Sequence, residues 1–278
     1  MHSGGGVVAV PSQQRDMAWL ASGSSNAELV RNLRSEQLIK SSSSFEAFSK
    51  VDRGEFVPGP AHRSAAYRDE PFHYEEFHLS APHIYAWVME LLKLDGLRNE
   101  AEPSFLNLGS GTGYLSYLVA AVVGDAHLNV GVERVGSLVE FAATRPHVVP
   151  SLADLAFVRF VHGDLFQVEL PRTAVGFSRI YVGGGAAEPA VARMRKLLKP
   201  GGIMVVPRED ELVRIARDQT APGVFHTDVI TKVRFSALVQ DPYRLSTWCP
   251  SQVPTGIDTV SDFTYQSQGG VSRSRVDW

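Results

Sequence analysis

The run Phe105-Leu106-Asn107-Leu108-Gly109-Ser110-Gly111-Thr112-Gly113-Tyr114-Leu115 constrains this chain more than any other stretch. An apolar strand ends abruptly in alternating glycines, and an apolar helix opens straight after them. Glycines are needed where the backbone turns tightly and lets a ligand approach, because a Cβ would block both. A strand–helix turn that serves only tight packing is the plain alternative. A dinucleotide fingerprint wants G-x-G-x-x-G, whereas Tyr114 stands here at the third-glycine position, which counts against NAD and FAD. Val130-Gly131-Val132-Glu133 closes a second strand about 20 residues later, where a carboxylate can accept both hydroxyls of a ribose. Gly163-Asp164 follows a third strand, and Asp164 there either caps an adenine ring or caps a loop or helix. The order of the three elements favours a nucleoside.

Around that motif the pattern is α/β. Short apolar runs at Phe105–Leu108, Asn129–Glu133, Phe157–His162, Arg179–Val182 and Ile203–Pro207 alternate with helical spacing at Tyr114–Val123, Val135–Ala143 and Pro189–Leu198. Strands buried on both faces with helical crossovers predict a doubly wound parallel sheet. Glu211–Arg217 and Val229–Val239 read as paired strands closing one edge. Upstream, Leu29, Val30, Leu33, Leu38 and Ile39 fall at helical spacing. Ser43 to Glu46 matches either a helix-capping box or a plain serine linker. Pro58 to Pro82 reads as a long surface loop, and His83–Leu94 as a helix packing on the sheet. These readings divide the chain into a flexible arm (1–25), one domain with a helical amino-terminal extension (26–240) and an irregular carboxy-terminal extension (241–278).

Composition narrows the function. A net charge of -3 with no basic tract gives no attraction for phosphate backbones, so no nucleic-acid partner is expected. Cys249 is the single cysteine, which excludes an intrachain disulfide and a cysteine zinc cluster and fits a reducing, cytoplasmic setting. No apolar run is long enough to span a bilayer, and His2 excludes N-myristoylation, so no membrane association is expected. His73, His78 and His83 lack H-E-x-x-H spacing, so no metal site is expected, and Trp87 reads as core.

The motifs together resemble a class I methyltransferase. FLNLGSGTG resembles its first motif, Glu133 its ribose acid, Gly163-Asp164 its adenine site, and Leu198-Lys199-Pro200-Gly201-Gly202 the turn before its fifth strand. His78-Leu79-Ser80-Ala81-Pro82-His83 is similar to a segment of the protein-L-isoaspartate O-methyltransferases, as are Arg31-Asn32-Leu33-Arg34 and Val51-Asp52-Arg53. HLSAP, FLNLGSGTGYLS and GGI followed by PxED place the likeness nearest the domain-containing branch of that family, over about residues 26 to 240.

The resemblance implies a class I methyltransferase Rossmann-like fold, mostly parallel with an antiparallel edge, and S-adenosyl-L-methionine as cofactor. It implies that Ser80 contacts a substrate carboxylate, that Phe77, His78 and Leu79 line the cofactor loop with Tyr85 beside them, and that Leu108, Gly109, Ser110, Gly111 and Thr112 hold the methionine and ribose portions. The implied activity is methyl transfer to isoaspartyl carboxylates of damaged proteins, a repair reaction. Such an acceptor is already ionised near neutral pH, so alignment and exclusion of water replace a strong general base. The chain departs from the family at Tyr85 (histidine), at Asn107 (aspartate), at Leu165 and Phe166 (glycine and arginine), and in lacking Ile-Gly within Tyr67 to Phe77. The alternative is a catalytically weak S-adenosylmethionine-binding recognition module, a substrate adaptor for an elongin-containing ubiquitin ligase. Leu245-x-x-x-Cys249-x-x-x-Val253 partly resembles a recruitment box, but Arg244 replaces Ser or Thr, and Pro250 inside a helix costs about 3 kcal/mol.

Overall fold

A computed structural model describes residues 21–125, 127–164, 166, 168 and 175–237. Residues 1–20, Leu165 and the carboxy-terminal extension, including Leu245, Cys249 and Val253, lie outside the described residues. Residues 21–25 pack on the body. Gly23 N–H donates to the Tyr67 carbonyl and the Ser22 hydroxyl accepts from Asp69 N–H, so the packed body extends ahead of Asn26.

Helix α1 (Asn26–Ser35) starts at Ser25, whose hydroxyl accepts the Glu28 N–H, and buries Leu29, Val30 and Leu33 as their spacing predicts. Helix α2 (Ser42–Lys50) is capped by Ser41, so the serine run is neither the Ser43–Glu46 box nor a plain linker. The reason is tertiary. The Glu90 carboxylate accepts the backbone N–H groups of Lys40 and Ser41 and the Ser41 hydroxyl, which starts the helix two residues earlier. Pro58–Pro82 is not the expected loop. It holds α3 (Arg63–Ala66) and a hairpin of β1 (Phe72–Tyr74) and β2 (Phe77–Leu79). Glu75 takes the left-handed conformation (φ 51°) in its turn, and without glycine or asparagine there the turn carries no sequence signature. Then come α4 (Pro82–Leu91), with proline in its first turn, and α5 (Leu94–Leu97).

The doubly wound part follows as β3 (Ser104–Leu108), α6 (Tyr114–Val123), β4 (Leu128–Glu133), α7 (Gly136–Val148), β5 (Arg159–His162), β6 (Phe177–Val182), α8 (Glu188–Met194), β7 (Leu198–Arg208), β8 (Glu211–Arg217) and β9 (Phe225–Lys232). The sheet order is β5-β4-β3-β6-β7-β8-β9, parallel through β7 and antiparallel at β8 and β9. The last strand begins earlier and ends earlier than Val229–Val239. As an exposed edge strand, it carries polar His226, Thr227 and Asp228, which hide its periodicity.

Alternation along the strands sorts two cores. Leu106, Leu108, Val130, Val132, Ile180 and Val182 pack with α8 on one face; Phe105, Tyr181 and Val205 join α4, α6 and the amino-terminal helices on the other. Strand order reverses between β3 and β6, and the crevice at their carboxyl ends is where open α/β sheets bind ligands. No helix among the described residues is long and apolar enough to cross a membrane.

Candidate functional site

The Gly109–Gly113 turn leaves β3 at that crevice, with Gly109, Gly111 and Gly113 at φ 72°, 54° and 84°. A side chain at these angles would be strained, and at Gly113 its Cβ would also lie 2.7 Å from the Phe160 ring. Opposite, Gly183 leaves β6 so close to the turn that a Cβ would run into the Gly109 carbonyl oxygen. Glu133, at the end of β4, binds this turn directly. One carboxylate oxygen accepts Gly111 N–H at 2.9 Å, and the other accepts Arg134 and Val135 N–H at 2.9 and 3.0 Å. The acid is thus oriented before any ligand arrives.

A cavity of about 310 Å³ opens over the turn, within the usual size of a small-molecule site. Two of its lining side chains carry buried polar atoms with no partner among the described residues, Asn107 Oδ1 and Ser110 Oγ, and the buried Tyr181 hydroxyl sits beside Ser80. Buried polar groups are normally hydrogen-bonded, so Asn107 Oδ1 and Ser110 Oγ mark where a polar ligand completes the site. The Asn107 amide N–H₂ donates to Ser116 Oγ, which leaves its oxygen as an acceptor without a partner among the described residues.

The two-residue link between β2 and α4 brings Ser80 to the same cavity. Its backbone N–H donates to the Tyr85 hydroxyl at 3.2 Å. Tyr85 is itself braced by the amino-terminal layer. The Arg53 guanidinium lies 5.6 Å from the ring centroids of both Tyr85 and Tyr114, and its Nε–H donates to the Ala66 carbonyl. Arg53 is fully buried, which pushes its pKa down, while Tyr85, Tyr114 and Asp69 act the other way. Asp69 in turn holds His83 through both its backbone N–H and Nδ1. In the hairpin, His73 and His78 are register partners with rings 5.7 Å apart; burial, then His73 and Arg53, push the His78 pKa below its ordinary value.

Of the expected site residues, His78, Ser80, Tyr85, Gly109, Ser110, Gly111 and Glu133 line this one cavity. Phe77, Leu79, Leu108, Thr112, Gly163 and Asp164 are not on its surface. Phe77 packs edge-on against Phe141, Leu79 and Leu108 are core, and Thr112 is buried beneath the turn. Asp164 accepts Phe166 N–H at 2.8 Å, the loop-cap geometry. His73, Glu76, Asn107, Tyr181 and Gly183 also line the cavity; of these the sequence marks only Asn107, as a departure from the family, and His73, as a histidine without metal-site spacing. The Gly183-Gly184-Gly185 run behind an apolar strand was a readable signal, of the same kind as Gly109–Gly113.

Residues 24–242 match the profile of the protein-L-isoaspartate(D-aspartate) O-methyltransferases. The Caenorhabditis elegans protein-L-isoaspartate O-methyltransferase is 34% identical over 199 residues, 69% of this chain and 82% of that protein. Protein-L-isoaspartate O-methyltransferase 1 of Arabidopsis thaliana is 32% identical over 191 residues, 66% of this chain and 76% of that protein. The crystal structure of a Plasmodium falciparum protein assigned to the same family, solved with S-adenosyl-L-homocysteine, shares the fold. Its TM-score is 0.64 at 23% identity, covering 79% of this chain and 100% of that one.

Proposed function

The chain belongs to the protein-L-isoaspartate(D-aspartate) O-methyltransferase family, and on that premise we propose that it transfers a methyl group from S-adenosyl-L-methionine to isoaspartyl carboxylates of damaged proteins. We assign this activity to residues 26–240 as one domain and place the protein in the cytoplasm, which fits its single cysteine.

The residues present fit the cofactor. Asn107 Oδ1 and Ser110 Oγ are buried acceptors in need of a donor, as the ammonium of the methionine portion and a ribose hydroxyl are. Glu133 keeps one acceptor position beyond its three backbone partners for a ribose hydroxyl, and among the described residues no lysine lines the cavity. When bound, the cofactor supplies an electrophilic methyl on a sulfonium: the acceptor oxygen forms its bond to that carbon as the C–S bond breaks, leaving a neutral thioether and a methyl ester.

Everything else is positioning. Gly109–Gly111 and Gly183 let the backbone close on the cofactor, and Ser80 holds the acceptor carboxylate in line from the opposite wall. No proton leaves the acceptor, so the site needs no base. The sulfonium and carboxylate charges cancel as the reaction proceeds, a step that a water-poor cavity favours.

The observation that carries this reading is that Ser80 and the Gly109–Gly111 turn open onto one cavity furnished with unpartnered polar atoms. Labelled methyl transfer to an isoaspartyl peptide, beside its aspartyl isomer, tests it. Transfer to the isoaspartyl form alone, reduced about tenfold or more in Ser80→Ala, is expected from loss of a hydrogen bond to a charged group. Absence of transfer by the unaltered chain would refute the reading.

A further inference from the structure

We propose that Tyr181 is a catalytic residue of this site, its phenolic O–H donating to the methyl-accepting carboxylate beside Ser80. The proposal rests on the isoaspartyl methyltransferase reading above and names a second recognition group for the acceptor.

Tyr181 is the penultimate residue of β6 and the register partner of Asn107 on β3, so the two side chains leave the sheet on the same face. Asn107 belongs to the cofactor end of the cavity. Ser80 and Tyr85, both of which influence the Tyr181 hydroxyl, belong to the acceptor wall. The hydroxyl therefore belongs to the acceptor wall, on the strand next to the one that leads into the glycine turn. Tyr181 is only 2% exposed, and its hydroxyl sits beside the Ser80 side chain, which lines the same cavity. Tyr85 already uses its oxygen to accept from the Ser80 backbone. Burial, reinforced by Tyr85, holds Tyr181 protonated far above the ordinary tyrosine range, so it remains a donor at every working pH.

The charge inventory points the same way. Among the described residues the one arginine lining the cavity, Arg134, directly follows the ribose acid Glu133, and no lysine lines it. A carboxylate at the Ser80 end is left to the hairpin histidines and to hydroxyls, and Ser80 and Tyr181 are hydroxyls that converge there. A tyrosine O–H to a carboxylate is a charge-assisted hydrogen bond, roughly twice as strong as a neutral one.

Tyr181→Phe keeps the buried ring and removes only the hydroxyl, while the Ser80 side chain beside it keeps Tyr85 as a polar neighbour. The full chain and the variant are compared for thermal midpoint, for S-adenosylmethionine affinity by calorimetry, and for methyl transfer to an isoaspartyl peptide. The expected result is an unchanged midpoint, a cofactor Kd within about twofold, and kcat/KM for the peptide reduced about ten- to hundredfold. Undiminished kcat/KM in the variant, with the unaltered chain active, overturns the role of Tyr181 while leaving the enzyme reading intact. A raised cofactor Kd with an unchanged peptide KM also overturns it, assigning the hydroxyl to the cofactor. An unaltered chain that neither methylates nor binds the isoaspartyl peptide in the presence of S-adenosylhomocysteine removes the enzyme reading and the inference together.

Discussion

The Tyr85 hydroxyl accepts the backbone N–H of Ser80 at 3.2 Å, tying the link that carries Ser80 to the helix that follows it. The ring behind that hydroxyl is pressed on the Arg53 guanidinium. A residue of the amino-terminal extension thus sets the position of a residue at the cavity. Tyr85→Phe keeps the ring and removes the acceptor, stranding a buried N–H. A loss of about 1–3 kcal/mol is expected in urea denaturation, together with a kcat for methyl transfer reduced about tenfold. Full activity at unchanged stability would show that the bond does not hold Ser80.

Glu133 is committed to three backbone N–H groups, and Glu133→Gln turns one of its oxygens into a donor that meets an N–H of like polarity. The turn and the ribose site should loosen together. Calorimetry should find S-adenosylmethionine bound about tenfold or more weakly, the scale of a lost charge-assisted hydrogen bond. A cofactor Kd equal to that of the unaltered chain would remove Glu133 from the site.

Gly183→Ala places a methyl against the Gly109 carbonyl oxygen, a backbone atom that cannot swing aside. The ends of β3 and β6 must part, at a cost of about 1–3 kcal/mol and with weakened cofactor binding. Gly96→Ala in α5 is the control. There the nearest heavy atom to the added carbon is 3.9 Å away, and the helix should gain up to about 1 kcal/mol. Equal thermal midpoints for the two variants would contradict the close approach at Gly183.

His78 titrates below its ordinary 6.5 in the folded chain because burial, then His73 and Arg53, disfavour its charged form. The unfolded chain therefore binds the proton first as pH falls. The stability that His78 contributes is complete above 6.5 and is lost as pH drops from there through the lower folded value. Urea midpoints measured across this window should decline with acidity, and the decline should be shallower in His78→Gln. An identical slope in the variant would show that other groups set the acid limit.

Much of this was readable in advance for a definite reason. Residues Phe105–Gly113 and Val130–Glu133 are sequence-local devices: a buried strand, a turn that only glycine accepts and an acid one strand away all leave a fixed spacing in the chain. The order of β3 to β7 follows from alternating periodicities in the same way. The hairpin at Phe72–Leu79 escaped because its turn uses Glu75 in a left-handed conformation, and β9 because an exposed edge strand has no apolar face to alternate.

By itself, then, the sequence determined the doubly wound α/β architecture, the glycine turn with its ribose acid, and the likeness that led to the family. Those depend on neighbours along the chain. Only the tertiary structure decided that Ser41 rather than Ser43 caps α2, that Arg53 braces Tyr85, and that Tyr181 and Gly183 face the Gly109–Gly113 turn. Each of those depends on groups tens of residues apart in the chain meeting in space. Burial and unpartnered polar atoms, which decide such contacts, leave no spacing to read.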